Sequence, residues 1–163
     1  MIRQNIIYDN IVFGKYDINK FNKFYPYIKS YPNIEKIKVL DVGGGEGHLL
    51  DLFFTKLKQD FNNSLDINSE FHIIDISKRQ IERAKKKGYN TIIYDISKGF
   101  PHDDESFDIV FASEVIEHIF DTTYFLKECR RVLKKDGLLI LTTPNIASLG
   151  NRINLVLGIG RDV

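Results

Sequence analysis

Val39-Leu40-Asp41-Val42-Gly43-Gly44-Gly45-Glu46-Gly47 is the stretch on which the reading of this chain turns. An apolar run meets an acid, and glycine then recurs at every second position. Gly43, Gly45 and Gly47 have no Cβ and adopt positive φ without penalty, so a ligand can lie directly on the backbone. His48-Leu49-Leu50-Asp51-Leu52-Phe53-Phe54 follow with helical spacing. The loop therefore feeds a helix N-terminus, with its unpaired N–H groups and partial positive charge. Strand, glycine turn and helix form the crevice in which open parallel sheets hold nucleotide-type cofactors.

Working outward, the same apolar run closed by an acid recurs. Phe71-His72-Ile73-Ile74-Asp75 predicts the second strand and Asn90-Thr91-Ile92-Ile93-Tyr94-Asp95 the third. Phe107–Ala112 predicts the fourth and Leu138–Thr142 the fifth. Helices are predicted between them: Glu46 to Gln59, Lys78 to Lys87 with Ser77 as cap, and Thr122 to Lys135 ended by Asp136-Gly137. Ser113–Phe120 reads as a short helical turn. Residues 1–34 read as an N-terminal helical segment, with Phe21, Phe24, Tyr25 and Ile28 on one face. Residues 60–69 read as a polar loop, and Ala147–Leu157 as a last amphipathic helix after Pro144. Strands alternating with helices make βαβ units and a mostly parallel sheet covered on both faces.

The chain has 163 residues, the size of one domain, with 43% apolar and 28% charged residues. A net charge of +1 gives no electrostatic case for nucleic acid or a membrane surface. One cysteine, Cys129, excludes an intrachain disulfide and reads as a buried structural thiol. The absence of a leader pattern or a long apolar run predicts a cytoplasmic protein without a membrane span.

Asp41, Asp75 and Asp95 all stand where ligands of parallel sheets bind. Any one of them could merely cap the next helix; three beside a glycine loop favour a ligand. A dinucleotide fingerprint is not completed: counting from Gly43 puts His48 where the last glycine should be, and counting from Gly45 puts Leu50 there. No Gly-Lys-Ser/Thr follows the turn, so a phosphate loop is also excluded. Carboxylates repel a pyrophosphate and attract sulfonium and ammonium groups.

With these residues in place, the sequence resembles the class I S-adenosylmethionine-dependent methyltransferases. Asp41-x-Gly43-x-Gly45-x-Gly47, Asp75-Ile76-Ser77, Tyr94-Asp95-Ile96, Phe100-Pro101 and Ser106–Val110 reproduce their motifs in order. Glu114-Val115-Ile116-Glu117-His118-Ile119 is a signature of the small-molecule subgroup that includes the ubiquinone-biosynthesis O-methyltransferases, and Leu126–Gly137 matches the segment before the fifth strand. The likeness spans residues 37–145. It implies a Rossmann-like doubly wound fold with strand order 3-2-1-4-5. The implied cofactor is S-adenosyl-L-methionine, with S-adenosyl-L-homocysteine as product. It further implies that Gly43 and Gly45 hold the methionine part, Asp75 the ribose hydroxyls beside Ile76, Asp95 the adenine amino group and the Ile96 N–H a ring nitrogen. Ala112 and Ser113 would contact the methionine end, and Asp41 would orient the loop or reach the ammonium through water. Asp75 follows Asp41 by 34 positions, more than the roughly 20 usual beyond such a loop, which leaves Asp66 as a rival.

Glu114, Glu117 and His118 are spaced to share one helical face. Three readings stay open. His118, with Glu117, acts as a base; the trio binds a divalent ion, as Glu-x-x-Glu-His does in some relatives; or the segment is structural. His72 and His102 show no partner pattern. The family sheet ends in an antiparallel hairpin, which is missing after Leu138–Thr142 here, so the fifth strand is expected at an exposed edge. The helix carrying Ile146, Leu149, Ile153, Val156 and Leu157, or a second copy in a homodimer, would cover it. The expectation is a single domain, with a core at 37–145 and a truncated C-terminal part at 146–163. It would transfer a methyl group to a small-molecule or sugar-containing acceptor. The alternative is a non-catalytic cofactor-binding or protein-interaction domain.

Overall fold

The structure is a computed structural model and describes residues 15–32, 34–61 and 69–143. In chain order its elements are α1 (Lys15–Lys29), β1 (Lys38–Val42), α2 (His48–Asp60), β2 (Glu70–Asp75), α3 (Lys78–Lys86), β3 (Asn90–Ile93), β4 (Phe107–Ser113), α4 (Thr122–Val132) and β5 (Leu133–Thr142). Single 3₁₀ turns lie at Ile34–Lys36, Ile96–Lys98 and Ile116–His118. The strands form one sheet in the order β3-β2-β1-β4-β5, and every pairing is parallel. Fold class and strand order are those expected from the sequence.

Alternation along the central strands divides the core. Val39, Phe71, Ile73, Ile109 and Phe111 point to one face, where Phe21, Tyr25 and Ile28 of α1, Leu50, Phe53 and Leu57 of α2, and Ile81 and Ala84 of α3 bury them. Leu40, Val42, Ile74, Val110 and Ala112 point to the other, against Phe125, Cys129 and Val132 of α4. Cys129 is fully buried, and desolvation pushes its thiol up to about 12, so it is a packing residue. α1 packs on the first face. Phe24 lies 6.0 Å from Phe111 between ring centres, and the Tyr31 hydroxyl reaches Asp108 at 3.4 Å.

The amino edge of the sheet is fastened by side chains. Asp108 accepts the Lys38 N–H at 2.8 Å and the Lys134 ammonium at 2.8 and 2.9 Å. Arg131 binds Glu128, Asp104 and the carbonyls of Phe100 and His102, tying α4 to the segment before β4. The rings of His72 and His102 meet edge to face at 6.0 Å, and both pack on Phe107. The two ring nitrogens of His102 are buried without partners.

Three boundaries differ from the sequence reading. α2 begins at His48 because Gly47, with φ +83°, is still part of the turn. α4 ends at Val132, not Lys135: Leu133 already pairs with Phe107, and the register is regained only at Ile109 with Leu138. The intervening residues bulge outward, and Gly137 is required there, since a Cβ would stand 3.1 Å from two backbone oxygens and 2.7 Å from Leu133. The third is the segment after β4, described below. Residues 1–14, most of the polar loop including Asp66, and the segment from Pro144 through the predicted last helix lie outside the described residues. No described helix is long and apolar enough to cross a membrane.

Candidate active site

β1 delivers Asp41 to the carboxyl edge and the chain then turns through Gly43 (φ +67°), Gly45 (φ +55°) and Gly47 (φ +83°). Each would be strained with a side chain, and all three sit hard against neighbours, Gly45 against Gln80. A Cβ on Gly43 would lie 2.7 Å from Val115 Cγ2, and one on Gly47 2.7 Å from the Tyr89 ring. The loop is held from below. Gly43 N–H donates to the Ile74 carbonyl at 2.8 Å and Gly47 N–H to Gly44 at 2.8 Å. Behind it, Asp51 of α2 is 3% exposed and accepts from the Tyr89 hydroxyl at 2.5 Å and the Lys87 ammonium at 2.6 Å. Lys87 also binds the Glu46 carbonyl at 2.8 Å, so the start of α2 is locked to the end of α3.

Asp41 is 2% exposed and its Oδ2 has no partner. Burial, then the nearby charge of Asp75, push its carboxyl up to about 8. Asp75, at the end of β2, accepts Gly45 N–H on Oδ2 at 3.0 Å and Ser77 N–H on Oδ1 at 2.7 Å. It thus joins the glycine loop to the start of α3. Ser77 occupies the cap position of α3 without a side-chain hydrogen bond, and the Gln80 carboxamide instead lies over Gly45, where it would meet any Cβ. Beside Asp75, Ile76 is 71% exposed, an apolar surface at the mouth of the crevice.

Asp95 follows β3 and caps the 3₁₀ turn Ile96–Lys98, accepting the Ser97 N–H at 3.1 Å and the Ser97 hydroxyl at 2.7 Å. Those bonds, the hydroxyl's first, hold its carboxyl below the usual range. Ala112 is buried on β4, and the Ser113 hydroxyl shares a 2.8 Å hydrogen bond with that of Thr142. The crevice is thus bounded by Asp41, Asp75 and Asp95 at the carboxyl ends of three adjacent strands.

The segment after β4 departs from the sequence reading. Glu114 adopts φ +56° and the only helical residues are the turn Ile116–His118, so Glu114, Glu117 and His118 do not share a helical face. The cause is a sharp left-handed corner at the strand end, fixed by Glu114 N–H donating to the Thr142 carbonyl at 3.0 Å. The Glu114 carboxylate accepts the Lys20 ammonium of α1 and the Thr142 hydroxyl at 3.2 Å, while Glu117 and His118 face solvent. Among the described residues no three His, Cys, Asp or Glu side chains stand together as a metal site. Lys20, Gln80, Val115 and Thr142 were not singled out by sequence. Gln80 had a signal, three residues after a helix-capping serine; Lys20, 94 positions from Glu114, had none.

A glycine-turn crevice at the carboxyl edge of a doubly wound parallel sheet, with an acid at the end of each of three adjacent strands, defines a cofactor-binding α/β domain. Residues 34–155 match the family described as Methyltransferase domain, and the chain belongs to that family, the class I S-adenosylmethionine-dependent methyltransferases. It is 35% identical over 129 residues to the ubiquinone biosynthesis O-methyltransferase of Bradyrhizobium sp. (strain ORS 278), covering 76% of this chain and 46% of that protein. The same-named enzyme of Pelagibacter ubique is 32% identical over 116 residues, 69% of this chain and 44% of the relative. The chain spans less than half the length of these relatives. Among solved structures, the PH0226 protein from Pyrococcus horikoshii OT3 superposes with a TM-score of 0.63 at 25% identity, over 90% of this chain and 66% of that one. The plantazolicin methyltransferase BpumL, in complex with S-adenosylhomocysteine, shares the fold with a TM-score of 0.66 at 20% identity, over 91% of this chain and 54% of its own.

Proposed function

We propose that this chain is the cofactor-binding part of an S-adenosylmethionine-dependent methyltransferase that acts on a small-molecule acceptor. The observation that carries the reading is the unpartnered, buried Asp41 Oδ2 beneath a glycine turn, next to Asp75. A buried carboxyl without a partner is costly, and a cationic ligand seated above it relieves that cost. The three acids suit a nucleoside cofactor that carries an ammonium and a sulfonium and no phosphate.

In this reading Gly43 and Gly45 receive the methionine end, with Ala112 and Ser113 across from them. Asp75 accepts the ribose hydroxyls. Each of its oxygens already takes one backbone N–H and retains a lone pair for a second donor. Ile76 supplies an apolar face, Asp95 accepts the adenine amino group and the Ile96 N–H serves a ring nitrogen. When bound, the cofactor supplies an activated methyl group. The protein's part is to align the acceptor in line with it and exclude water. An acceptor hydroxyl needs a base, and His118, flanked by Glu117, is the candidate; its exposure means that a bound acceptor must desolvate it. The ubiquinone-related names among the relatives support a small organic acceptor.

Calorimetric titration of the full chain with S-adenosylmethionine and S-adenosylhomocysteine tests this. Asp75→Ala is expected to weaken binding by about tenfold or more, since charge-assisted hydrogen bonds contribute about 1.5–3 kcal/mol each. A folded wild-type chain that binds neither compound refutes the reading. Binding without turnover on a broad acceptor panel favours the non-catalytic alternative.

A further inference from the structure

We infer that Lys20 of α1 is a positioning residue for the glycine loop: it holds Glu114 in the left-handed corner that presses Val115 against Gly43. This rests on the cofactor reading above.

Glu114 is the first residue beyond β4 and has φ +56°, a conformation that disfavours any side chain with a Cβ. Such a residue persists only where its surroundings over-determine it. Here three contacts do so. Its N–H donates to the Thr142 carbonyl at 3.0 Å, and its carboxylate accepts the Thr142 hydroxyl at 3.2 Å and the Lys20 ammonium. The Lys20 and Glu114 side chains are 18% and 35% exposed, so the pair is part-buried and only partly screened by solvent. The corner decides where the next residue goes. Val115 is 6% exposed, and its Cγ2 occupies the space 2.7 Å from where a Cβ of Gly43 would be. Gly43 is the first turn residue of the loop. The physical path therefore runs from α1 through Glu114 and Val115 to the backbone that receives the cofactor.

α1 does not depend on Lys20 to stay in place. Phe21, Tyr25 and Ile28 bury it in the core, and Tyr31 reaches Asp108 at its far end. Loss of Lys20 therefore removes the clasp and leaves the helix docked. Glu114 then keeps only its two contacts to Thr142, its hold on the left-handed region weakens, and Val115 presses less firmly on Gly43, so the loop is less tightly held in one conformation.

The test compares wild type, Lys20→Met, Lys20→Arg, Glu114→Gly and the Lys20→Met/Glu114→Gly double variant of the full chain. S-adenosylhomocysteine affinity is measured by calorimetry and melting temperature alongside. Lys20→Met is expected to weaken affinity about tenfold, a typical coupling between sites, with little change in melting temperature. Lys20→Arg should restore most of it. Glycine adopts the corner without strain, so Lys20→Met should add nothing in the Glu114→Gly background. Wild-type affinity in Lys20→Met, or full additivity in the double variant, overturns the inference. A wild type that binds no cofactor refutes the cofactor reading instead. Amide exchange at Gly43, read on the unliganded chain, then still decides: faster exchange in Lys20→Met supports the clasp, and unchanged exchange overturns it.

Discussion

Asp41→Asn is expected to make the unliganded chain more stable at neutral pH. Asp41 is 2% exposed and its carboxyl is raised from 3.8 to about 8, first by burial and then by Asp75. The folded chain therefore holds a proton on Asp41 that the unfolded chain releases above pH 3.8. A raised acid pKa makes stability fall as pH rises through the interval between the two values. At about 1.36 kcal/mol per pH unit, the cost is roughly 1.5 kcal/mol at pH 5 and roughly 4 kcal/mol at pH 7. Local relaxation and water entry reduce both, so these are upper bounds. Asparagine keeps the shape, carries no titrating proton, and leaves one polar group as unpartnered as Oδ2 already is. Urea unfolding of wild type and Asp41→Asn at pH 5, 6 and 7 measures the difference, in which titrating groups not coupled to Asp41 cancel, and an Asp75→Asn background removes the coupled one. The gap should widen by about 1–2.5 kcal/mol over that range. A gap that is independent of pH would show that Asp41 is not held protonated, and the argument from its orphaned oxygen would fail with it.

Gly47→Ala combines φ +83° with a Cβ 2.7 Å from Tyr89 and 2.9 Å from Ile73, and should cost about 2–4 kcal/mol in urea unfolding; a neutral result would contradict the loop geometry. Tyr89→Phe removes the 2.5 Å hydrogen bond to buried Asp51 and should cost about 1–3 kcal/mol by the same assay, with Asp51→Asn partly cancelling it in a double-mutant cycle. Burial, followed by the charges of His72, Lys38 and Arg131, lowers His102 from 6.5 to about 4. The unfolded chain binds that proton first, so its contribution is complete above pH 6.5 and is lost as pH falls toward 4. His102→Phe should remove on the order of 1–2 kcal/mol of that acid sensitivity, after discounting for solvent screening, and an unchanged acid limb would refute the assignment.

The parallel sheet was legible because its central strands are buried on both faces and so read as unbroken apolar runs, and because an acid closes each of the first three runs at the ligand edge. The glycine loop was legible because only glycine tolerates those dihedrals beside Val115 and Tyr89. The end of α4 was not. Leu133-Lys134-Lys135 has good helix propensity, but Leu133 is drawn into pairing with Phe107, and strand contact overrides local preference. The corner at Glu114 was hidden for a related reason. Glu114, Glu117 and His118 carry helical spacing, yet the hydrogen bond from Glu114 to Thr142 and the pairing with Lys20 form only once α1 and β5 are assembled. Asp75 was found as a strand-end acid, but its grip on the Gly45 N–H belongs to three-dimensional structure alone.

The ties at Asp108 and Arg131 lie on the amino edge of the sheet, away from the crevice. Their placement separates two kinds of perturbation. Loosening the ties at Asp108 or Arg131 is expected to lower stability and leave the geometry of the crevice alone. A change at the carboxyl edge is expected to act on ligand affinity while the amino edge still holds the strands.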